Sequence, residues 1–313
     1  MSGLVTMALT VIDRGTTTGS RPAMSELAVI TPSYAPDADL FAELHRSVLT
    51  HTPHDTVHHV IVPPADRALF AQYGGARCHV WTYPEILPRR YAHLPRTGLW
   101  MNLRRPWPPV RGWVMQQTLK IAAAGEIAAD VVLLADSDVV LVRPTTAERF
   151  MTDGRMRLYR EEDAVTAEME RHVRWHHVAR RLLGLPSAPA PPLRDYVSPL
   201  NFWDPRIVRA MQRRIQETTG QDWIDAFNSQ LHISEFILYG VYVDEVLGAS
   251  AAPSDTTICH NMWDQAPLDH DGAVAFAERL PSEAIAMMIS AKSGTPRRFR
   301  LAAARRCAEL AGE

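Results

Sequence analysis

Cysteine is scarce in this chain: Cys78, Cys259 and Cys307 lie far apart over 313 residues. An odd, dispersed set gives no disulfide framework and points to a reducing compartment. No apolar run approaches the roughly 18 residues that a membrane span needs. The first residues lack a basic segment followed by an apolar one, so no signal peptide is expected and the expected location is the cytoplasm. An excess of one charge is also lacking: the formal net charge is -2, which leaves no electrostatic footprint for nucleic acid. No internal repeat is visible, and low complexity is confined to the proline-rich run 185–192. The first strand is not followed by Gly-x-Gly-x-x-Gly. That argues against a dinucleotide cofactor and leaves open a mononucleotide held by other means. What is present suits a globular enzyme or binding protein: 46% hydrophobic and 22% charged residues, enough for a real core in one large domain or two small ones.

Residues 1–24 read as a flexible tail, with Gly, Thr and Ser clustered at 15–20. Strands are expected at Leu27–Ile30, Val57–Val62 and Cys78–Trp81, with helices between them starting at Asp37 or Asp39 and at Ala65. Three strands alternating with helices argue for a parallel, Rossmann-like half. The Pro- and Arg-rich stretch 84–111, which contains Trp100 and Trp107, reads as a long irregular loop. A helix follows over Gly112–Ala129. Met115, Leu119, Ala123 and Ile127 form its buried stripe, and Gln116 and Lys120 stand one turn apart on a neighbouring face.

The stretch Asp130–Val142 is the centre of the sequence. Five apolar residues after Asp130 run without alternation, as in a parallel strand covered on both faces. Asp136 and Asp138 then interrupt the run two positions apart. In an extended chain such residues point to the same side. Two like charges beside an apolar run are costly unless neutralised, and a hard divalent cation with oxygen ligands does this. A tight Asp-Ser-Asp turn is the plainer alternative.

Further along, 163–183 reads as a charged helix with His172 and His176 at i, i+4. Arg171, Arg174, Arg180 and Arg181 surround them and would repel a cation, so a solvated or partner-facing helix is expected there. Tyr196–Asp204 reads as a strand and turn, with Asp204 capping a helix that begins at Pro205. Ser234 caps an apolar helix with Glu235 in its first turn, where a carboxylate serves the helix dipole. Thr257–His260 is strand-forming, Ala284–Ile289 is apolar, and the turn Ser290–Pro296 leads into a basic C-terminal helix, 296–313.

Four features in order carry a resemblance: Thr31-Pro32-Ser33-Tyr34, Gln116-Gln117-x-x-Lys120, Asp136-Ser137-Asp138, and Ser234-Glu235-Phe236 followed by His260. Over roughly residues 25–295 the chain resembles the GT-A superfamily of nucleotide-sugar glycosyltransferases. It is most similar to bacterial members with an Asp-x-Asp strand and a downstream Ser-Glu-aromatic-x-Leu-Tyr-Gly segment. The resemblance implies an α/β fold with a GT-A (Rossmann-like) mixed, mostly parallel sheet flanked by helices. It implies a nucleotide-binding half at 25–144 and an acceptor-binding half at 145–295. Asp136, Asp138 and His260 would hold Mn²⁺ or Mg²⁺, the imidazole favouring Mn²⁺. Thr31, Pro32 and Tyr34 would line the nucleoside, while Gln116, Lys120 and Lys292 would border the phosphates or donor sugar. Glu235 matches the base of inverting members, with Asp204 as the alternative. The expected partners are a nucleoside-diphosphate sugar and a small-molecule or glycan acceptor. Two rivals stand beside this. One is a haloacid-dehalogenase-like phosphatase, suggested by Asp136-x-Asp138-x-Val140 but disfavoured by the three strands before it. The other is a catalytically silent nucleotide- or glycan-binding module on the same fold.

Overall fold

The computed structural model describes residues 26–94, 97–153, 155–248, 252–254, 258–264 and 266–312; the expected tail 1–24 lies outside them. The chain runs β1 (Leu27–Pro32), α1 (Ala38–His51), β2 (Val57–Val62), α2 (Arg67–Phe70), β3 (Cys78–Thr82), α3 (Tyr83–Ile86), β4 (Tyr91–Leu94), β5 (Leu99–Asn102), β6 (Arg105–Arg111), α4 (Gly112–Glu126), β7 (Val131–Ala135) and β8 (Val139–Leu141). It continues through β9 (Met151–Thr152), β10 (Arg155–Tyr159), β11 (Glu161–Val165), α5 (Glu170–Leu183), β12 (Leu193–Asp195), β13 (Leu200–Trp203), α6 (Pro205–Thr219), α7 (Trp223–Asn228) and α8 (Glu235–Val241). It ends with β14 (Ala252–Ser254), β15 (Cys259–Met262), α9 (His270–Ala277), β16 (Ala286–Ile289) and α10 (Arg297–Gly312).

Burial on both faces explains the unbroken apolar strands. Leu27 and Val29 of β1 join Leu44 and Val48 of α1 in one core, together with Val131, Leu133 and Ala135 of β7. Ala28 and Ile30, with Val132 and Leu134, face the other way, onto Met115 and Leu119 of α4 and onto α6 and α8. The main sheet has the order β13-β7-β1-β2-β3. Strands β7, β1, β2 and β3 are parallel, and β13 runs antiparallel to β7. This is the expected α/β class, a mostly parallel sheet flanked by helices. The chain leaves β1 toward β2 on one side and returns to β7 on the other. The carboxyl ends of β1 and β7 therefore form a topological switch point, where open α/β sheets hold ligands.

Two expectations fail here. The stretch 84–111 is not an irregular loop: after α3, the strands β4, β5 and β6 form an antiparallel sheet, and Tyr91, Trp100 and Val110 send their side chains into the main core. Pro106, Pro108 and Pro109 all fall in β6, an edge strand of that sheet, where a missing N–H is tolerated. The helix expected from Asp163 starts instead at Glu170. The acidic run at 161–163, which suits a helical first turn, is drawn into β11 by its pairing with β12.

Gly240 marks a close approach between elements: a Cβ there would lie 2.2 Å from the ring of Tyr196. All three cysteines are buried, and none forms a disulfide among the described residues. Among the described residues no helix is long and apolar enough to cross a membrane.

Several histidines are built in as neutral groups. His58 is fully buried, with Nδ1 3.0 Å from His45 Nδ1 and Nε2 2.9 Å from Thr31 Oγ1. Burial lowers the His59 pKa to about 4, helped by His79. Burial likewise lowers His176 to about 4; its Nε2–H donates to the Arg194 carbonyl at 2.8 Å. A depressed histidine contributes stability that is present above its unfolded value near 6.5 and lost as the pH falls toward 4. At about 1.4 kcal/mol per unit, His176 alone carries on the order of 3 kcal/mol. The melting temperature should therefore fall clearly between pH 7.5 and pH 5. His176→Gln, which keeps a donor for the Arg194 carbonyl, should flatten that slope. Melting curves that do not change with pH would contradict the neutral assignment.

Candidate functional site

The apolar run of β7 is fully buried up to Ala135, and the chain emerges at Asp136. A turn follows, with the Val139 N–H donating to the Asp136 carbonyl at 3.1 Å. Buried Ser137 ties the turn to the end of β1: its Oγ is 3.0 Å from Ser33 Oγ and 3.4 Å from the Pro32 carbonyl oxygen. Strand β8 then pairs antiparallel with β16, Val139 opposite Met288. That register returns the segment after β16 to the start of β8. The Ala291 N–H donates to Asp138 Oδ2 at 2.7 Å, and Lys292, on the same turn, is exposed.

Helix α4 is enclosed between the sheet and the helices α6, α7 and α8, so even its polar residues Gln117, Thr118 and Lys120 are buried. Lys120 Nζ lies 2.9 Å from Asp136 Oδ1 and 3.2 Å from Glu235 Oε1. It also sits 4.8 Å over the Phe236 ring. The Lys120 and Glu235 side chains are 6% and 5% exposed, against 40% for Asp136. The centre is thus a buried ion pair with one carboxylate open to the crevice. Ser234 caps α8 by accepting from the Ile237 N–H. The Glu235 N–H donates to Gln117 Oε1 at 3.0 Å. Of the glutamine pair on α4, Gln117 makes this contact, and the expected Gln116 lies half-buried on the adjacent face.

Charge in the crevice is unbalanced toward the negative. Burial pushes the Asp138 carboxyl up to about 6, with Asp136 adding to the shift. Asp37 is raised by burial and then by Asp136, and Arg300 partly offsets this. Burial raises Glu235, and the Lys120 ammonium opposes the rise. Burial opposes the charge on Lys120 itself, but Asp136 and Glu235 outweigh it and hold the ammonium above its ordinary range. Arg300, 7% exposed, donates to the Ser290 carbonyl at 3.2 Å and feels Asp138, Glu43 and Asp37. Asp37 and Arg300 were not singled out in the sequence as site residues: one reads as a helix start, the other as part of a basic terminal helix.

Three expectations about the site need correction. His260 does not join the carboxylates: its Nε2 donates to the Phe276 carbonyl at 2.7 Å and its ring stacks on Phe276. Register is the cause. His260 stands opposite Met287, two residues short of the strand end that approaches Asp138, and α9 takes its ring. Among the described residues no three His, Cys, Asp or Glu side chains gather as a metal site. Asp204 lies at the wrong end of the sheet. Because β13 is antiparallel, Trp203 pairs with Val132, four residues or roughly 13 Å along the strand from Asp136. There Asp204 caps α6 through the Arg206 N–H at 2.7 Å and pairs with the Arg206 guanidinium at 2.8 Å. Thr31, expected to line a nucleoside, is wholly buried and turned to His58. Pro32 is buried as well. Of that trio only Tyr34 is exposed, at 43%.

The resemblance implies a divalent cation, and the residues present fit one. Asp136 and Asp138 repel each other and Asp136 repels Asp37, a concentration of negative charge that a cation would offset. Lys120 and the Ala291 N–H each engage one oxygen of its carboxylate. Two carboxylates, completed by substrate phosphates and water, are a sufficient set for Mg²⁺ or Mn²⁺. With His260 turned away, the imidazole argument for Mn²⁺ over Mg²⁺ no longer applies.

The model of a family of unknown function, DUF6492, matches residues 27–283. No curated protein matches the chain. Among solved structures the chain is similar to an active-site mutant of LgtC, at 15% identity over 91% of this chain and 95% of that one, with a TM-score of 0.43. It is also similar to the galactosyltransferase LgtC in complex with donor and acceptor sugar analogs, at 15% identity over the same shares, 91% and 95%, with a TM-score of 0.44. A third is the glycosyltransferase GlyE of Streptococcus pneumoniae TIGR4, at 12% identity over 90% of this chain and 60% of that one, with a TM-score of 0.40.

Proposed function

The chain belongs to the DUF6492 family, a family of unknown function, and we propose that it is a glycosyltransferase moving a sugar from a nucleoside-diphosphate sugar to a hydroxyl of a small-molecule or glycan acceptor. The observation that carries this reading is the grouping of Asp136, Lys120 and Glu235 beside Asp138 at the switch point of a parallel sheet. Negative carboxylates, a buried ammonium and a raised carboxyl at one crevice suit a diphosphate leaving group and an acceptor that must lose a proton.

In this reading Asp136 and Asp138 would hold Mg²⁺ or Mn²⁺, which when bound offsets charge on the leaving diphosphate. Lys120 and the exposed Lys292 add positive charge beside the same position. Tyr34 offers its ring to the nucleoside. The nucleotide half spans 25–144 and the acceptor half 145–295. Glu235 takes the proton of the acceptor hydroxyl as that oxygen bonds to the anomeric carbon and the bond to the diphosphate breaks, an inverting course. Burial that raises the Glu235 pKa makes its carboxylate a better proton acceptor near neutral pH.

Calorimetry of UDP and GDP binding, with Mg²⁺ or Mn²⁺ and with chelator, tests this. At least one nucleotide should bind roughly tenfold or more tightly with the cation, a gain of about 1.4 kcal/mol. Equal affinity with and without cation would sink the metal role, and no binding of either nucleotide would count against a UDP- or GDP-sugar donor. Accumulation of an aspartyl-phosphate would favour a phosphatase instead.

A further inference from the structure

A second concentration of charge, opposite in sign, lies at the start of α4. Arg111, Trp113, Arg171, Arg174 and His232 line a cavity of about 390 Å³, with Glu170 as its one carboxylate. None of the three guanidiniums forms an ion pair with a described residue. The contrast with the rest of α5 is informative. Arg180 on the same helix pairs with Glu245, and Arg181 donates to Gln230 Oε1 at 2.6 Å. The arginines that lack partners are the two turned to the cavity.

These groups are also held in place. The Arg171 guanidinium lies 4.5 Å from the Trp113 ring and 4.9 Å from the Trp175 ring, and the two indoles stack 5.7 Å apart. Stacking fixes the plane of a guanidinium and leaves its edge free for two parallel hydrogen bonds to an oxyanion. Arg111 donates to the Leu231 carbonyl and so is tied to the chain that carries His232. Arg111, Arg171 and Arg174 share the cavity lining with His232, whose pKa is lowered by burial and then by Arg174, Arg111 and Arg171. Like charges brought this close disfavour one another unless an anion joins them.

The cavity is lined from α4 and from the segment before α8, the two elements that also carry Lys120 and Glu235. Trp113 precedes Lys120 by seven residues of α4, roughly 10 Å along the helix, and His232 is three residues before Glu235. We infer that Arg111, Arg171 and Arg174 bind a phosphate or carboxylate group of the acceptor, so that the acceptor class is an anionic sugar or glycan. The word acceptor rests on the glycosyltransferase reading; the anion site rests on the cavity alone.

The test uses the full chain and three probes: glucose 6-phosphate, glucuronate and glucose, titrated by calorimetry and by tryptophan fluorescence in the presence of saturating UDP or GDP with Mg²⁺. At least one charged probe should bind and glucose should not, the phosphate and carboxylate arms separating the two chemistries. Arg171→Gln/Arg174→Gln, and Arg174→Glu alone as a milder surface change, should weaken the charged probe at least tenfold while leaving nucleotide affinity unchanged. Equal binding of charged and neutral probes, or affinity unchanged in folded variants, would overturn the proposal. Binding of a charged probe at these arginines by a protein that binds no nucleotide would retain the anion site and reject the donor reading.

Discussion

Lys120→Met should destabilise the protein by roughly 3–5 kcal/mol, the cost of removing one partner of a buried ion pair and leaving the other charge uncompensated. Lys120 is 5% exposed and Glu235 4% exposed. Nothing but Lys120 pairs with the Glu235 carboxylate among the described salt bridges, whereas Asp136 can turn its half-open side chain to water. Methionine fills much the same volume, so the loss is electrostatic rather than a cavity. At roughly 2–4 °C per kcal/mol for a domain of this size, the melting temperature should fall by about 10 °C. Adding Glu235→Gln to Lys120→Met should recover much of that, a coupling of about 1–3 kcal/mol between residues in direct contact. The penalty should also shrink as the pH is lowered, because Glu235, already raised by burial, then takes up a proton more readily. Denaturant titrations of the four proteins in this cycle measure the coupling. A melting temperature within about 2 °C of the parent for Lys120→Met, or additive effects in the cycle, would mean that the pair is not a buried one.

What the sequence made legible follows from how local each signal is. Asp136 and Asp138 are legible because they interrupt a run of apolar residues. The structure places them not on an extended strand but in the tight turn between β7 and β8, where the Val139 N–H donates to the Asp136 carbonyl, the plainer reading of Asp-Ser-Asp. Glu235 next to its cap Ser234 is equally local. Asp204 was legible as a cap but not as a residue at the far end of the sheet, because nothing near it records that β13 runs antiparallel to β7. His260 depended on a strand register and on a helix packed against it, both set by distant residues. The row of Gln116 and Lys120 assumed a helix with one wet face. Helix α4 has none over most of its length, so burial could not select the face, and the glutamine that accepts from the Glu235 backbone N–H is Gln117. Arg300 shows the reverse: a charge in a helix that reads as solvated, carried inward by the packing of α10 on α9 and β16.

The base assignment makes the sharpest separate claim. Glu235→Gln keeps an oxygen to accept from Lys120 and leaves the backbone bond to Gln117 untouched. Lys120 keeps its pairing with Asp136, so stability should change by no more than about 1 kcal/mol, the scale of a helix-end charge. What is lost is the ability to accept a proton. If Glu235 is the base, turnover should fall by roughly 10²–10⁴ while donor affinity stays near that of the parent. If Glu235 acts only by holding Lys120 in place, the glutamine should serve nearly as well, the rate loss should stay under about tenfold, and any effect should appear in nucleotide affinity. Asp204→Asn is the control. Asparagine caps a helix as well as aspartate, and the position lies beyond reach of the crevice, so turnover should be unchanged. Single-turnover rates with a nucleotide-sugar donor, measured beside calorimetry of the nucleotide alone, separate these outcomes. Near-parental turnover in Glu235→Gln would remove Glu235 from the chemistry and leave it as the counter-charge that keeps Lys120 against Asp136.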